Sequence, residues 1–194
     1  ALLITPLVLF NPKILKLGLI FLFVLAASSP LIWAKMLHDY QKQRIVNFLD
    51  PSNDPLGQGY NVIQSKIAVG SGGLFGRGYK KGTQGQLLFL PEKHTDFIIS
   101  ATAEETGFLG IFLVLAAYFV LLISLLKKTF SVTNNRPLFL FTLGVTIQIW
   151  AQTFINIGMN LGLLPVTGIP LPFLSVGGSS IISLLFSIGI INSN

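Results

Sequence analysis

Apolar residues run almost unbroken through four stretches of the chain, residues 14–37, 108–126, 138–159 and 173–191. Each approaches the roughly 20 residues that an α-helix needs to cross the hydrocarbon core of a bilayer. None shows the strict alternation of a half-buried strand, so the pattern predicts transmembrane helices. A fifth apolar run, residues 1–10, is too short to span and reads as the tail of a truncated helix. Between the first and second spans lies a polar connection, residues 38–107, too long for a linker. The expectation is an all-α integral membrane protein: one transmembrane domain over 1–194, with four spanning helices, a truncated fifth and a large, partly helical loop. The chain opens inside an apolar run without Met or a basic leader region, which reads as a fragment of a larger bundle.

The spans differ in character. The first carries Ser28-Ser29-Pro30, a kink that neighbouring helices must accommodate. The second, "FLGIFLVLAAYFVLLISLLKK", reads as a lipid-facing anchor ending on Lys127 and Lys128. On the third, Gln148, Gln152, Asn156 and Asn160 recur every four residues and share one face. Amides are costly against lipid, so this face turns toward other helices or a wet cavity, and both roles are open.

Composition supports the membrane reading: 52% of residues are hydrophobic and 10% charged, with a mean hydropathy of +0.72. The absence of Cys excludes disulfides and thiolate metal sites. All seven acids lie in the 38–107 connection with seven of the thirteen bases, so that segment is neutral and the net charge of +6 arises elsewhere. Five of the other six bases fall in "NPKILK" and "KKTFSVTNNR". Short basic loops stay cytoplasmic, which puts the long connection and residues 160–172 outside. The bases are dispersed and flank spans, which argues against a nucleic-acid partner.

Within the long connection, "YNVIQSKIAVG" spaces Val62, Ile63, Ile67 and Val69 along one side of a short helix, expected to lie on or re-enter the membrane surface. "GSGGLFGRGYKKGTQGQ" follows. It lacks the Gly-Lys-Ser/Thr ending of a Walker loop. It reads either as a turn region or as a loop whose Arg77, Lys80 and Lys81, with free backbone N–H groups, face an anion such as phosphate.

"LFLPEKHTDFIIS" concentrates charge. Pro91 suits a first helical turn, so a helix from Pro91 into the second span would align Glu92, Asp96, Ser100 and Glu104 on one face. Thr102 and Glu105 match a capping box, an innocent role for Glu105. Asp96 is followed by Phe97, Ile98 and Ile99, which hold it at the apolar edge, where ionisable groups are functional candidates. One such carboxylate, with cations for an anionic leaving group, suits chemistry on a hydroxyl at a membrane surface.

Three stretches carry a family resemblance: "DYQKQRIVNFLDPSNDPLGQGYNVIQSKIAVGSGGLFGRG", "FLPEKHTDFIISATAEETG" and "NIGMNLGLLPVTGIPLPFLSVGGSS". In order and spacing they resemble the SEDS family of bacterial cell-wall proteins, and Thr167-Gly168-Ile169-Pro170-Leu171-Pro172 is similar to its elongation branch. The resemblance implies the C-terminal half of a bundle of about ten helices. It also implies a peptidoglycan glycosyltransferase in the cytoplasmic membrane that polymerises lipid II into glycan on the outer side. Its partner would be a class B penicillin-binding protein. The family's essential acid maps onto Asp96, in His94-Thr95-Asp96-Phe97. It would deprotonate the sugar 4-hydroxyl that attacks the lipid-linked donor, releasing undecaprenyl pyrophosphate with inversion. Lys66, Arg77, Lys80, Lys81 and Lys93 are candidates for the pyrophosphate, with or without Mg²⁺ or Mn²⁺. His94, Glu104, Gln152 and Asn156 are further substrate contacts. The competing readings are a lipid II translocator and a non-catalytic scaffold of the elongation machinery.

Overall fold

The computed structural model describes residues 38–54, 57–82 and 94–193. The expected span at 14–37, the run 1–10, Glu92 and Lys93 lie outside these residues. The chain divides into two compact units, Ala1–Gln43 and Arg44–Asn194. In the first, the described residues begin helix α1 (Asp39–Leu49), where Lys42 pairs with Asp39 at 3.7 Å. The second continues through a 3₁₀ turn (Pro51–Asn53), α2 (Gln58–Ser71), α3 (Ile98–Ser131), α4 (Arg136–Asn160) and α5 (Gly178–Asn192). Among the described residues every regular element is helical.

Helices α3 and α4 are long and apolar enough to cross a membrane. Helix α4 begins two residues before the expected span at 138: the Asn135 side chain accepts the Leu138 N–H and Pro137 sits in the first turn, where a missing N–H costs nothing. The polarity of the pair is inverted relative to a water-soluble fold. Phe112, Leu113, Phe119 and Val120 of α3 are more than half exposed, whereas Ser100, Glu104, Thr142, Thr146, Asn156 and Asn160 are buried. An apolar surface of this extent is stable when its solvent is lipid. Inside, Leu125, Val145, Ile149, Leu184 and Ile191 join α3, α4 and α5, and Ile99, Tyr118 and Leu171 form a second cluster. The Tyr118 hydroxyl donates to the Pro172 carbonyl, so the phenol is satisfied within the apolar layer.

The expected span at 173–191 is helical only from Gly178, over 15 residues. Residues 173–177 form a turn instead, entered through Phe173 at φ 64°. Their apolar character serves packing: Phe173 lies against the α3–α4–α5 cluster.

Helix α2 occurs where expected but is rotated. Gly59, Val62, Ser65, Ala68 and Gly72 are buried, while Ile63 and Ile67 face outward. Spaced three or four apart, these five residues form a face of small side chains with one valine, which lets backbones approach closely. A Cβ at Gly72 would lie 2.0 Å from the Ala103 carbonyl oxygen of α3. Close approach outweighed the larger hydrophobic side chains.

Helix α3 is broken at Gly107, whose φ of 68° and ψ of −165° lie outside helical space and are open essentially to glycine alone. A continuous helix would bond Phe108 N–H to Glu104 and Leu109 N–H to Glu105. Here Phe108 and Leu109 donate to the Gly73 and Leu74 carbonyls, at 2.9 and 3.2 Å. In return the Glu104 and Glu105 carbonyls accept from Arg77 and Gly78, at 2.9 and 3.0 Å. The glycine-rich segment thus splices the break. Its backbone groups at Arg77 and Gly78 are spent on α3, which corrects the expectation of free N–H groups turned to an anion.

The expected helix from Pro91 starts only at Ile98, after a turn over 94–97. Asp96 therefore precedes the helix and does not share a helical face with Ser100 and Glu104. Nor is Thr102 a cap: its hydroxyl donates back to the Ile98 carbonyl at 2.8 Å, the ordinary behaviour of threonine inside a helix.

Candidate functional site: a clamped carboxylate before α3

The turn ahead of α3 is held carbonyl by carbonyl. His94 O accepts the Val176 N–H at 2.9 Å. Thr95 O accepts the Ser175 hydroxyl at 2.6 Å. Asp96 O accepts the side-chain amides of Asn156 and Asn160, at 3.1 and 2.9 Å. Phe97 O accepts Ala101 N–H at 3.1 Å and so begins the helix. Backbone carbonyls that would otherwise extend α3 backward are bound by two separate segments, residues 175–176 and α4, which is why the helix stops there. Phe97 and Ile99, almost fully buried, pin the turn to the core. Asp96 itself is half-buried, and His94 is exposed.

Asn160 is the hub beneath this turn. Its amide donates to Asp96 O and to the Asn156 carbonyl, both at 2.9 Å. Its Oδ1 accepts the Ser100 N–H and hydroxyl, at 3.1 and 2.6 Å. Its own carbonyl accepts the Ser65 hydroxyl at 2.6 Å, and the Ser65 and Ser100 oxygens lie 2.5 Å apart. One residue thereby joins α2, α3 and α4. Buried polar groups satisfied this fully rigidify a site.

Asn156 makes a second connection. Besides Asp96 O, its amide donates to the Ile169 carbonyl at 2.9 Å. Ile169 follows Gly168, which at φ 70° turns its Cα toward the acid; a Cβ there would lie 3.5 Å from Asp96 Oδ2. On the preceding residue, the Thr167 carbonyl accepts from Arg44 Nη1 at 3.4 Å. The Asp96 carboxylate therefore sits against the 167–169 turn, with a guanidinium engaged on that turn. Ser175 closes the arrangement, its oxygen also accepting the Leu171 N–H at 2.8 Å.

The residues predicted from sequence separate into groups. Asp96 and Asn156 meet, but Asn156 is fully buried with its amide committed to two carbonyls, so it supports the acid from behind instead of lining a cavity. Gln152 is half-buried and Gln148 exposed, so the four-residue stripe changes environment along α4. Glu104 is fully buried, its carboxylate beneath Gly82, where a Cβ would lie 2.7 Å from Oε2. It stands about 9 Å along α3 from the helix start at Ile98, at 1.5 Å per residue. Arg77, Lys80 and Lys81 are exposed on the loop spliced to that same level of α3. Lys66 is exposed and its side chain lies across Gly162, where a Cβ would clash with Cε at 2.1 Å. Lys93 lies outside the described residues. Sequence reasoning missed Arg44, Ser65, Gly168 and Ser175. Only Asn160 had a visible signal, as the last member of the stripe. Among the described residues no three His, Asp or Glu side chains converge as a metal site.

These features define an α-helical membrane protein that presents one clamped carboxylate where a span begins. The chain belongs to the FTSW_RODA_SPOVE family of cell cycle proteins, which it matches over residues 2–193; this is the SEDS family that the sequence resembles. It is 46% identical over 172 residues to the peptidoglycan glycosyltransferase MrdB of Escherichia coli strain K12, covering 88% of this chain and 46% of that protein. It is 39% identical over 165 residues to a probable peptidoglycan glycosyltransferase FtsW of Trichlorobacter lovleyi, covering 84% and 43%. Among solved structures it is similar to a chain from work on the structural coordination of polymerization and crosslinking by a peptidoglycan synthase complex. That likeness has a TM-score of 0.66 at 37% identity and covers 91% of this chain and 47% of that one. The chain thus spans less than half the length of these relatives.

Proposed function

We propose that this protein polymerises lipid II into glycan strands on the outer side of the bacterial cytoplasmic membrane, with Asp96 as the general base. The single observation that carries the reading is the Asp96 turn. A half-buried carboxylate is fixed through its backbone by Asn156 and Asn160 and is faced by Gly168, where a Cβ would lie 3.5 Å from Oδ2. In the reaction the acceptor sugar's 4-hydroxyl oxygen bonds to the donor's anomeric carbon. The bond from that carbon to the pyrophosphate breaks with inversion, and the hydroxyl proton passes to Asp96. Positioned base catalysis of this kind contributes typically 10²–10⁴-fold.

The donor's pyrophosphate needs positive charge. Arg44, bonded to the Thr167 carbonyl, and Lys66, next to Ser65 of the buried network, are candidates, as are Arg77, Lys80 and Lys81 on the loop spliced to α3. The Asp96 carboxylate would suit a Mg²⁺ or Mn²⁺ shared with substrate phosphates, since magnesium is commonly held by one or two carboxylates plus substrate oxygens. The relative in a peptidoglycan synthase complex supports a crosslinking penicillin-binding protein as partner.

The test is glycan synthesis from purified lipid II by the complete protein, wild type against Asp96→Asn, with and without a chelator. Loss of synthesis with folding and partner binding retained supports the assignment. Full synthesis by Asp96→Asn overturns it and favours a translocator or a scaffold.

A further inference from the structure

We propose that the glycine-rich loop, residues 72–81, is a membrane anchor seated in the lipid headgroup layer where α3 enters the bilayer. Its depth is set by the splice at Gly107. The bonds from Phe108 and Leu109 to Gly73 and Leu74, with those returned by Arg77 and Gly78, fix the loop to the first turn of the apolar span. Leu74 and Phe75 therefore stand level with Phe108, the first apolar residue of that span.

All of these side chains point outward. Leu74, Phe75 and Tyr79 are 65%, 77% and 78% exposed, and Phe108 is 62% exposed. Large apolar groups in succession on a glycine loop are expensive in water, and this set is continuous with the exposed apolar face of α3 whose solvent is lipid. The loop also has the chemistry of the interface. Tyr79 lies with the Lys80 ammonium 5.4 Å from its ring centroid, an aromatic body beside a charged tip, as in the belts found at headgroup level. Residues 70–91 contain no acid, while Arg77, Lys80 and Lys81 are exposed. That one-signed surface matches lipid phosphates. The glycines serve both ends of the device, because a Cβ at Gly76 would lie 2.2 Å from the Glu105 carbonyl oxygen and break the splice. Seated this way, the loop holds the foot of α3, and with it the Asp96 turn, at a constant height above the lipid.

This chain has no Cys; any Cys elsewhere in the complete protein is first replaced by Ser, so that each spin label reports alone. The complete protein carries a label at Phe75→Cys or Tyr79→Cys, with Phe112→Cys as a reference within the span and the exposed Asn134→Cys as a reference in water. It is reconstituted in phosphatidylethanolamine–phosphatidylglycerol vesicles. Collision rates with oxygen, which partitions into lipid, and with a water-soluble nickel chelate are compared. The expected oxygen-to-nickel ratio at Phe75 is severalfold above that at Asn134 and close to that at Phe112, with Tyr79 between, and Lys80→Gln with Lys81→Gln lowers the ratio at Phe75. A ratio at both loop positions equal to that at Asn134 overturns the proposal. So does exclusion of both reagents, which would mean that protein covers the loop. The two positions guard against one label distorting its own surroundings, and the result is independent of whether Asp96 is the base.

Discussion

The side-chain amide of Asn156 holds the carbonyls of Asp96 and Ile169 together, at 3.1 and 2.9 Å. It brackets the two turns whose approach creates the site, because Ile169 adjoins the glycine that faces the Asp96 carboxylate. Replacement by Leu, of similar volume, removes both bonds and leaves Ile169 O without this donor. The expected cost is about 1–3 kcal/mol of stability. On the proposed function, displacement of the carboxylate by a fraction of an ångström should lower kcat for lipid II polymerisation by on the order of 10- to 100-fold, with KM much less affected. Steady-state kinetics beside thermal unfolding in detergent read the two effects separately. A variant that loses stability but keeps kcat would show the bracket to be structural only.

Gly168 is the face on which the acid rests. Its φ of 70° is costly for an L residue, and a methyl group would sit 3.5 Å from Asp96 Oδ2. Gly168→Ala should cost about 1–2 kcal/mol and, on the proposed function, reduce turnover, because an apolar carbon then lies against the carboxylate. Unchanged polymerisation kinetics would remove this glycine from the site.

At the helix break, substitution should discriminate sharply between glycines of one protein. Gly107→Ala forces a side chain to within 2.3 Å of Gly76 N in a glycine-only conformation, with an expected loss of about 3 kcal/mol or more once the splice bonds fail. Gly144, inside α4, has open space around its Cβ position. Gly144→Ala should be neutral or stabilising by up to about 1 kcal/mol. Comparison of their melting temperatures checks both, and equal effects would contradict the splice as a source of stability.

Ser175 joins the Asp96 turn to the segment before α5 through Thr95 O and Leu171 N–H. Ser175→Ala leaves both groups without this partner and should cost about 1–2 kcal/mol. Hydrogen exchange at the turn ahead of α3 should accelerate in parallel. Protection left unchanged there would assign the turn's rigidity to the asparagines alone.

Spans α3 and α4 were legible in the order of residues, since length and hydropathy are properties of a segment and the bilayer imposes the same threshold on any chain. Asp96 was visible as a carboxylate at an apolar edge, and its assignment then rested on family resemblance. What tertiary structure decided is everything that depends on a distant partner. Periodicity placed Asn156 and Asn160 on one face but said nothing of the Asp96 and Ile169 carbonyls they reach, 60 or 64 and 13 residues away. It extended the helix back to Pro91 because the competing acceptors' partners, Ser175 and Val176, lie some 80 residues off. It oriented α2 by its largest hydrophobic residues, whereas the close approach of Gly72 to Ala103 chose the smallest. Hydropathy is a local sum; a backbone carbonyl's partner is a global choice, and that choice brought Asp96 against Gly168.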